Sequence, residues 1–316
     1  MPIVARKLIQ LIVVFVVVTF FTVLLISLIP GKPEQVQIPF GTDQQRQQFR
    51  KDVGLDKPLP VRYVKWLRGF LHGDLGNRYQ PSGKRPVGPE IKSAIPVSLL
   101  LMLYAQGLAL LIAIPLGVFA AFKAGSRADR LINTSAFGMI ALPNFALALM
   151  LSYYVGVKLN WVPPTGYTSI GHGLKDHFKT MVLPTITLAV GQIAVYMRLL
   201  RSDMIQTLQE DFILMAKSKG ISNRRVLWRH ALRPSSITLL TVAGLQVGAL
   251  IGGTLIIEFL FGIPGMGFYI GRAIAERQYV ALQSAIAVVA IGYVLVNFFI
   301  DFLYNVLDPR IRERRT

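Results

Sequence analysis

Long uncharged runs alternate with polar ones along this chain, and their lengths decide its class. Leu8–Ile29 is 22 residues without a charged side chain, more than the roughly 20 that cross about 30 Å of hydrocarbon as a helix. Ile95–Phe122 is 28 uncharged residues, with Pro96 near its start and Pro115-Leu116-Gly117 towards its end. Leu131–Val157 is interrupted only by Pro143 and Asn144, and the shorter Met181–Met197 carries Pro184 and Gly191. Ser235–Phe261 contains one acid, Glu258, and Tyr279–Ile300 is uncharged until Asp301 closes it. The pattern predicts an all-α integral membrane protein with six transmembrane helices. Interior prolines fit such helices, because neighbouring helices and polar side chains satisfy the freed carbonyls.

The polar intervals set the organisation. Residues 1–30 hold the N-terminus and first span, 31–94 a polar segment, and 95–316 the remaining five spans with a polar loop at 201–235. The first run exceeds the 7–15 apolar residues of a signal core and lacks an A-x-A site after Pro30, so it reads as an uncleaved anchor. With both termini inside, Lys and Arg number two in the first seven positions, three in 123–130, eight in 198–235 and four in 305–316. The outside pieces hold as many, but 12 of those lie in the 64-residue segment 31–94. Segments that long translocate largely regardless of charge, so the short loops decide and place both termini in the cytoplasm. The segment 31–94 then forms a small extracytoplasmic cap. Asp43–Lys57 has a helix-like mixture of charges, Val61–Leu75 is apolar at helical spacing, and Gly73-Asp74-Leu75-Gly76-Asn77 is a turn cluster. Its basic character fits either simple solvation or a docking surface.

Composition removes several function classes. The net charge of +18 suggests nucleic acid, but 53% of residues are apolar and only 16% charged, against about 25% charged in ordinary globular domains. The excess is dispersed among membrane loops, so no nucleic-acid partner is expected. With no cysteine, disulfides, thiol catalysis and Cys-ligated metals are excluded. No Walker A loop is present, and Gly265-x-Gly267 fails as a dinucleotide fingerprint because Ile270 stands where its third glycine belongs. His172 and His177 are five apart, unlike an i, i+4 zinc pair on a helix, and all four histidines, with His72 and His230, read as satisfied or solvated. No Ser/His/acid constellation is suggested, and the chain is expected to be non-catalytic.

Two intramembrane acids need explaining, because a carboxylate in lipid is costly. Glu258, near the outer end of the fifth span, is either an interfacial or helix-packing acid or part of a translocation path. Asp301, near Arg310 and Arg312, reads as a structural ion pair. Gly244, Gly248 and Gly252 form a stripe that suits close helix packing, although a hinge would use the same pattern.

The most informative segment is the polar insertion Arg198–Ser235. Within Asp203–Lys219, Met204, Ile205, Leu208, Phe212, Met215 and Ala216 fall on one helical face. Gly220 stops that helix in the manner of a C′ glycine. Ser222 is placed to cap a second, short helix over roughly Asn223–Leu232, ended by Pro234. That helix carries Arg224, Arg225, Arg229 and His230 beside Val226, Leu227 and Trp228. A basic amphipathic element of this kind either lies on anionic headgroups or docks into a groove on a soluble partner.

Ala216-x-x-x-Gly220, with Leu232 twelve residues beyond the glycine, resembles the "EAA" loop of ABC-importer permeases. Ala216-Lys217-Ser218-Lys219-Gly220-Ile221-Ser222 and Arg229-His230-Ala231-Leu232-Arg233 are similar to the peptide-importer branch. Leu214 and Met215 replace the motif's Glu and first Ala, His230 its Ile, and Pro234 the Asn usual in the branch. Further resemblances follow in order: Gly54-Leu55-Asp56-Lys57-Pro58-Leu59-Pro60, Gly73-Asp74-Leu75-Gly76, Ile114-Pro115-Leu116-Gly117, Glu258–Phe261 with Pro264-Gly265-Met266-Gly267, and Asp301–Tyr304 with Asp308–Arg312.

This resemblance implies a type I permease subunit of a dipeptide or oligopeptide ABC importer in a bacterial or archaeal cytoplasmic membrane. Its implied partners are a second homologous permease, two ABC ATPases and an extracytoplasmic peptide-binding protein. ATP and magnesium would sit on the ATPases, with no cofactor on this chain. The implied coupling residues are Ala216, Gly220, Ser222, Arg224, Arg225, Val226, Leu227, Trp228, Arg229, His230 and Leu232. A nickel-complex permease of the same family and a stand-alone secondary transporter or channel are the alternatives. The latter calls for paired ionisable residues within the spans, and this chain offers only Glu258 and Asp301.

Overall fold

The computed structural model describes residues 3–28, 30–80 and 83–307, except for the side chains of 3–8, 10, 52, 80 and 301–307. The elements run α1 (Ile3–Ser27), α2 (Pro33–Gln37), α3 (Asp43–Val53), α4 (Leu59–Leu71), β1 (Asn77–Gln80), β2 (Gly83–Pro86), α5 (Val87–Phe122), α6 (Arg127–Ala141) and α7 (Asn144–Leu151). A π-helical turn follows α7 at Ser152–Lys158. Then come α8 (Leu174–Thr207), α9 (Asp211–Ser218), α10 (Asn223–Arg225), a second π-helical turn at Val226–Ala231, α11 (Leu232–Phe261), α12 (Met266–Ala275) and α13 (Tyr279–Leu307). The chain divides into two compact units, Met1–Ser98 with Ile263–Leu295, and Leu99–Gly262 with Val296–Thr316.

Among the described residues four helices are long and apolar enough to cross a membrane, or five if a bent pair is one span. In α1 the apolar residues with described side chains run over Leu11–Ser27, so fewer than the six expected spans are counted among the described residues. The bent pair occupies the segment expected as the third span: α6 and the continuous helix Asn144–Lys158 meet at 97°. The cause is Pro143, which cannot donate to the helical ladder and disfavours helical geometry at Leu142 before it. Leu142 is accordingly extended, at ψ 117°.

In the first unit, α3 and α4 carry their own start and stop signals. Thr42 and Gln45 form a reciprocal capping box, and Pro58 and Pro60 sit where a helix start tolerates a missing N–H. Aromatic rings join α4 to α1: Phe70 lies tilted against Phe15, and Tyr63 meets Phe20 edge-on. The Tyr63 hydroxyl pairs with Thr19 Oγ1 at 2.9 Å. The all-α expectation fails in one place, where β1 and β2 form an antiparallel hairpin in the register Arg78↔Arg85. Gln278 supplies a side-chain substitute for a third strand. Its Oε1 accepts the Tyr79 N–H at 3.0 Å, and its Nε2 donates to the Tyr79 carbonyl at 2.5 Å. Arg78, buried beside them, pairs with Glu276 and with Glu90 at 3.4 Å. Burial pushes the Glu276 carboxyl up, but hydrogen bonds and charge from Arg272 and Arg78 outweigh it and hold it below its ordinary value.

In the second unit, α8 packs against α11, α6 and α7. A polar rung crosses its core: Tyr196 Oη donates to Gln106 Oε1 at 3.0 Å, and Gln106 Nε2 donates to the Ala243 carbonyl at 3.3 Å. His177 is fully buried and satisfied, as the sequence suggested. Its Nδ1 donates to the Thr168 carbonyl at 2.7 Å, and its Nε2 lies 3.2 Å from Tyr104 Oη. On the glycine stripe of α11, Gly244 makes a close approach. A Cβ built there would sit 3.0 Å from Ile300 Cγ2 on α13, whereas one at Gly252 meets nothing within 4 Å.

Candidate functional site

The loop between α8 and α11 departs from its expected form in two respects. The amphipathic helix expected over Asp203–Lys219 is two helices. Helix α8 continues to Thr207, the chain turns through Leu208–Glu210, and α9 starts at Asp211. The turn rotates the second piece, so Ile213 and Ala216 point inward while Phe212 and Met215 are exposed. The expected apolar face holds for Met204, which is fully buried, and fails for Phe212 and Met215.

Pro234 does not end the second helix. Helix α10 passes into the π-helical turn Val226–Ala231 and directly into α11, giving one continuous helix over Asn223–Phe261. Pro234 follows the wider π-helical turn Val226–Ala231, where the regular i→i−4 ladder is already interrupted and a residue without an N–H is accommodated. Ser222 stands at the N-cap with extended backbone, but its side chain makes no capping bond. Its carbonyl instead accepts the Val226 N–H at 3.0 Å.

Gly220 stops α9 as anticipated, at φ +74°. The Ile221 N–H donates to the Ala216 carbonyl at 3.2 Å and the Gly220 N–H to the Lys217 carbonyl at 2.9 Å. These two bonds are a Schellman motif, which accounts for the glycine at 220, while Ala216 is a small residue buried against the core. Ala216 supplies the carbonyl three places before the cap, and Gly220 the left-handed residue that lets the chain fold back onto it.

Burial sorts the candidate residues into two groups. Ala216, Val226 and Leu227 are buried in a cluster that includes Val118, Ala121 and Leu200, with Leu232 packed against its edge. Gly220, Ser222, Arg224, Arg225, Trp228 and Arg229 are exposed, and His230 is half-buried. One edge of the loop therefore anchors it, and the other presents three guanidinium groups around an indole. The base is tied by Thr207 Oγ1 to Ser235 Oγ at 2.9 Å, joining the end of α8 to the start of α11. A second tie was not legible: Arg201 on α8 pairs with the buried Asp129 on α6.

The two acids are placed differently. Glu258 is fully buried in the last turn of α11, not at a wet interface. The Asp301 side chain and the Arg310 and Arg312 expected beside it lie outside the described residues, as does the motif Asp308–Arg312.

Comparison with known proteins gives this loop its context. Residues 113–313 match the family model of the binding-protein-dependent transport system inner membrane component. The chain belongs to this family. Residues 1–89 match the N-terminal region described for membrane components of the same systems. A probable peptide ABC transporter permease protein of Sinorhizobium fredii is 34% identical over 97% of this chain and 98% of its own. An oligopeptide transport system permease protein of Bacillus subtilis is 32% identical over the same shares. A di/tripeptide transport system permease protein of Pseudomonas aeruginosa is 34% identical over 99% of both chains. The protein is thus a multi-pass inner-membrane transport component, and its apolar helices are the membrane part of a binding-protein-dependent system. Family membership favours this over a stand-alone secondary transporter or channel.

Proposed function

We propose that this chain is a permease subunit of an ATP-driven peptide importer, and that the loop 201–235 couples it to ATPase subunits. Six spans serve it: α1, α5, the bent pair α6 and α7, α8, α11 and α13. Both termini and the coupling loop face the cytoplasm, and residues 31–94 form the extracytoplasmic cap. A second homologous permease completes the translocation path, two ATPases carry ATP and magnesium, and a binding protein delivers peptide. The similar permeases of Sinorhizobium, Bacillus and Pseudomonas support the substrate class.

The observation that carries this reading is the two-sided loop. Arg224, Arg225, Trp228 and Arg229 face outward beyond a glycine-stopped helix, while Val226 and Leu227 fix the same turn in the core. A partner engaging the outer edge moves the inner one, and a two-state membrane unit needs that kind of connection. This chain supplies no ATP chemistry of its own. ATP-dependent peptide uptake by the reconstituted complex tests the assignment. Gly220→Pro, or charge reversal at Arg224 and Arg225, is expected to abolish uptake with membrane insertion intact. Unchanged uptake and unchanged ATPase co-purification in these variants would overturn it.

A further inference from the structure

At the bend of the broken span, the second unit holds a cleft of about 190 Å³ lined by Asn144, Leu188, Gln192, Gln246, Leu250 and Gly253. The cleft lies among α7, α8 and α11, each part of an apolar stretch. Gln192 is 7% exposed, and its Oε1 is buried with no hydrogen-bond partner among the described residues. The Asn144 side chain reaches over Gly191, since a Cβ built there would lie 3.9 Å from Asn144 Oδ1. Gln246, half-buried on α11, faces the same space.

Three features define what this space accepts. Its polar groups are all carboxamides, each with an acceptor oxygen and two N–H donors. None of its lining residues is ionisable, which disfavours a bare cation, an ammonium group or a carboxylate as ligand. The remaining wall is aliphatic or glycine, so beyond the three carboxamides it offers a ligand group no polar side chain. A group that both donates and accepts, carries no net charge and recurs whatever the side chains is the peptide main-chain amide. Interrupted backbone at membrane depth is tolerated where it is buried in protein or lines a cavity, and the α6–α7 break borders this one.

We propose that this cleft is a contact site for main-chain amides of the peptide in transit, with Gln192 Oε1 accepting a peptide N–H and Gln246 and Asn144 supplying the other amide contacts. The inference rests on the peptide-importer reading above and adds to it a site inside the membrane part. It makes selection at this point independent of peptide sequence and sensitive to main-chain N–H groups.

The test uses the full complex in proteoliposomes, with a short peptide and its main-chain N-methylated analogue as probes. Gln192→Leu is expected to lower uptake of the parent peptide roughly tenfold, as loss of a buried hydrogen bond does, while leaving uptake of the N-methylated analogue nearly unchanged. The preference of the binding protein is common to wild type and variant, so it cancels from the ratio. Wild-type uptake of neither probe would defeat the peptide-importer reading itself. Wild-type uptake with equal losses for both probes in Gln192→Leu would overturn the cleft assignment alone. A second arm exploits the cysteine-free sequence. A single Gln246→Cys is expected to react with a water-soluble thiol reagent and to be protected during peptide transport. Failure to react, or loss of the second permease from the purified complex, would mark the cleft as a lipid or subunit contact and overturn the proposal.

Discussion

Arg201 on α8 grips the Asp129 carboxylate of α6 with two nitrogens, Nε to Oδ1 and Nη2 to Oδ2, each at 2.6 Å. The same carboxylate accepts the Gly125 N–H at 2.9 Å and Asn133 Nδ2 at 2.7 Å. Paired geometry of this kind suits the planar guanidinium and is lost with lysine. Arg201→Ala would strand a buried carboxylate, and we expect it to cost about 3 kcal/mol. Arg201→Lys should fall between it and wild type. Thermal unfolding of the detergent-solubilised protein measures both, and an unchanged midpoint for Arg201→Ala would contradict the role given to the pair.

The stop at Gly220 gives an ordering of variants. A Cβ at this position meets nothing within 4 Å, so a substitution costs only the left-handed backbone conformation. Gly220→Ala should destabilise the loop by about 1 kcal/mol, and Gly220→Asn by less, because Asn tolerates that region. Peptide-stimulated ATP hydrolysis in the assembled complex should fall in the same order. Equal activity for Ala and Pro at this position would exclude the Schellman geometry as the basis of coupling.

Glu276 carries a pH dependence whose sign is fixed. Its folded carboxyl titrates below its ordinary value of 4.5. Its contribution to stability is therefore complete above that value and is lost as pH falls through the lower, folded one. Between pH 6 and 8 it should add no slope. The wild-type melting temperature is expected to drop more steeply below pH 4.5 than that of Glu276→Gln, and parallel acid limbs would rule this out.

Gln278 stands in for a strand beside Tyr79. Gln278→Leu would leave the Tyr79 N–H and carbonyl without these partners, at a cost of about 2 kcal/mol. Faster amide hydrogen exchange at Tyr79, with exchange in α9 unchanged, is the expected result.

Much of this architecture leaves a local trace in the sequence, and the remainder does not for physical reasons. A left-handed helix stop selects a residue type, so Gly220 is legible, as are α3 and α4 within Asp43–Lys57 and Val61–Leu75, but not the short α2. The turn at Leu208–Glu210 contains neither glycine nor proline. Apolar spacing therefore runs through it unbroken and groups Phe212 and Met215 with Met204, although the structure exposes both. The hairpin was hidden because its four-residue strands carry Arg78, Lys84 and Arg85 rather than alternating apolar side chains. Contacts such as Asp129 with Arg201, 72 residues apart, have no local signature. The same holds for the meeting of Asn144, Gln192 and Gln246 at a cleft. Pro143 marks the bend nearby, but nothing in sequence indicates which polar side chains converge on it.

The uninterrupted passage from Asn223 to Phe261 has a mechanical consequence. At 1.5 Å per residue, those 39 residues form one helix of about 58 Å, with the exposed arginines at one end and buried Glu258 near the other. A stop at Pro234 would have made a flexible strap there, able to absorb a push by bending. A continuous helix carries a tilt imposed at Arg224 and Arg225 into α11, and the π-helical turn at Val226–Ala231 followed by Pro234 is the point at which it bends most readily.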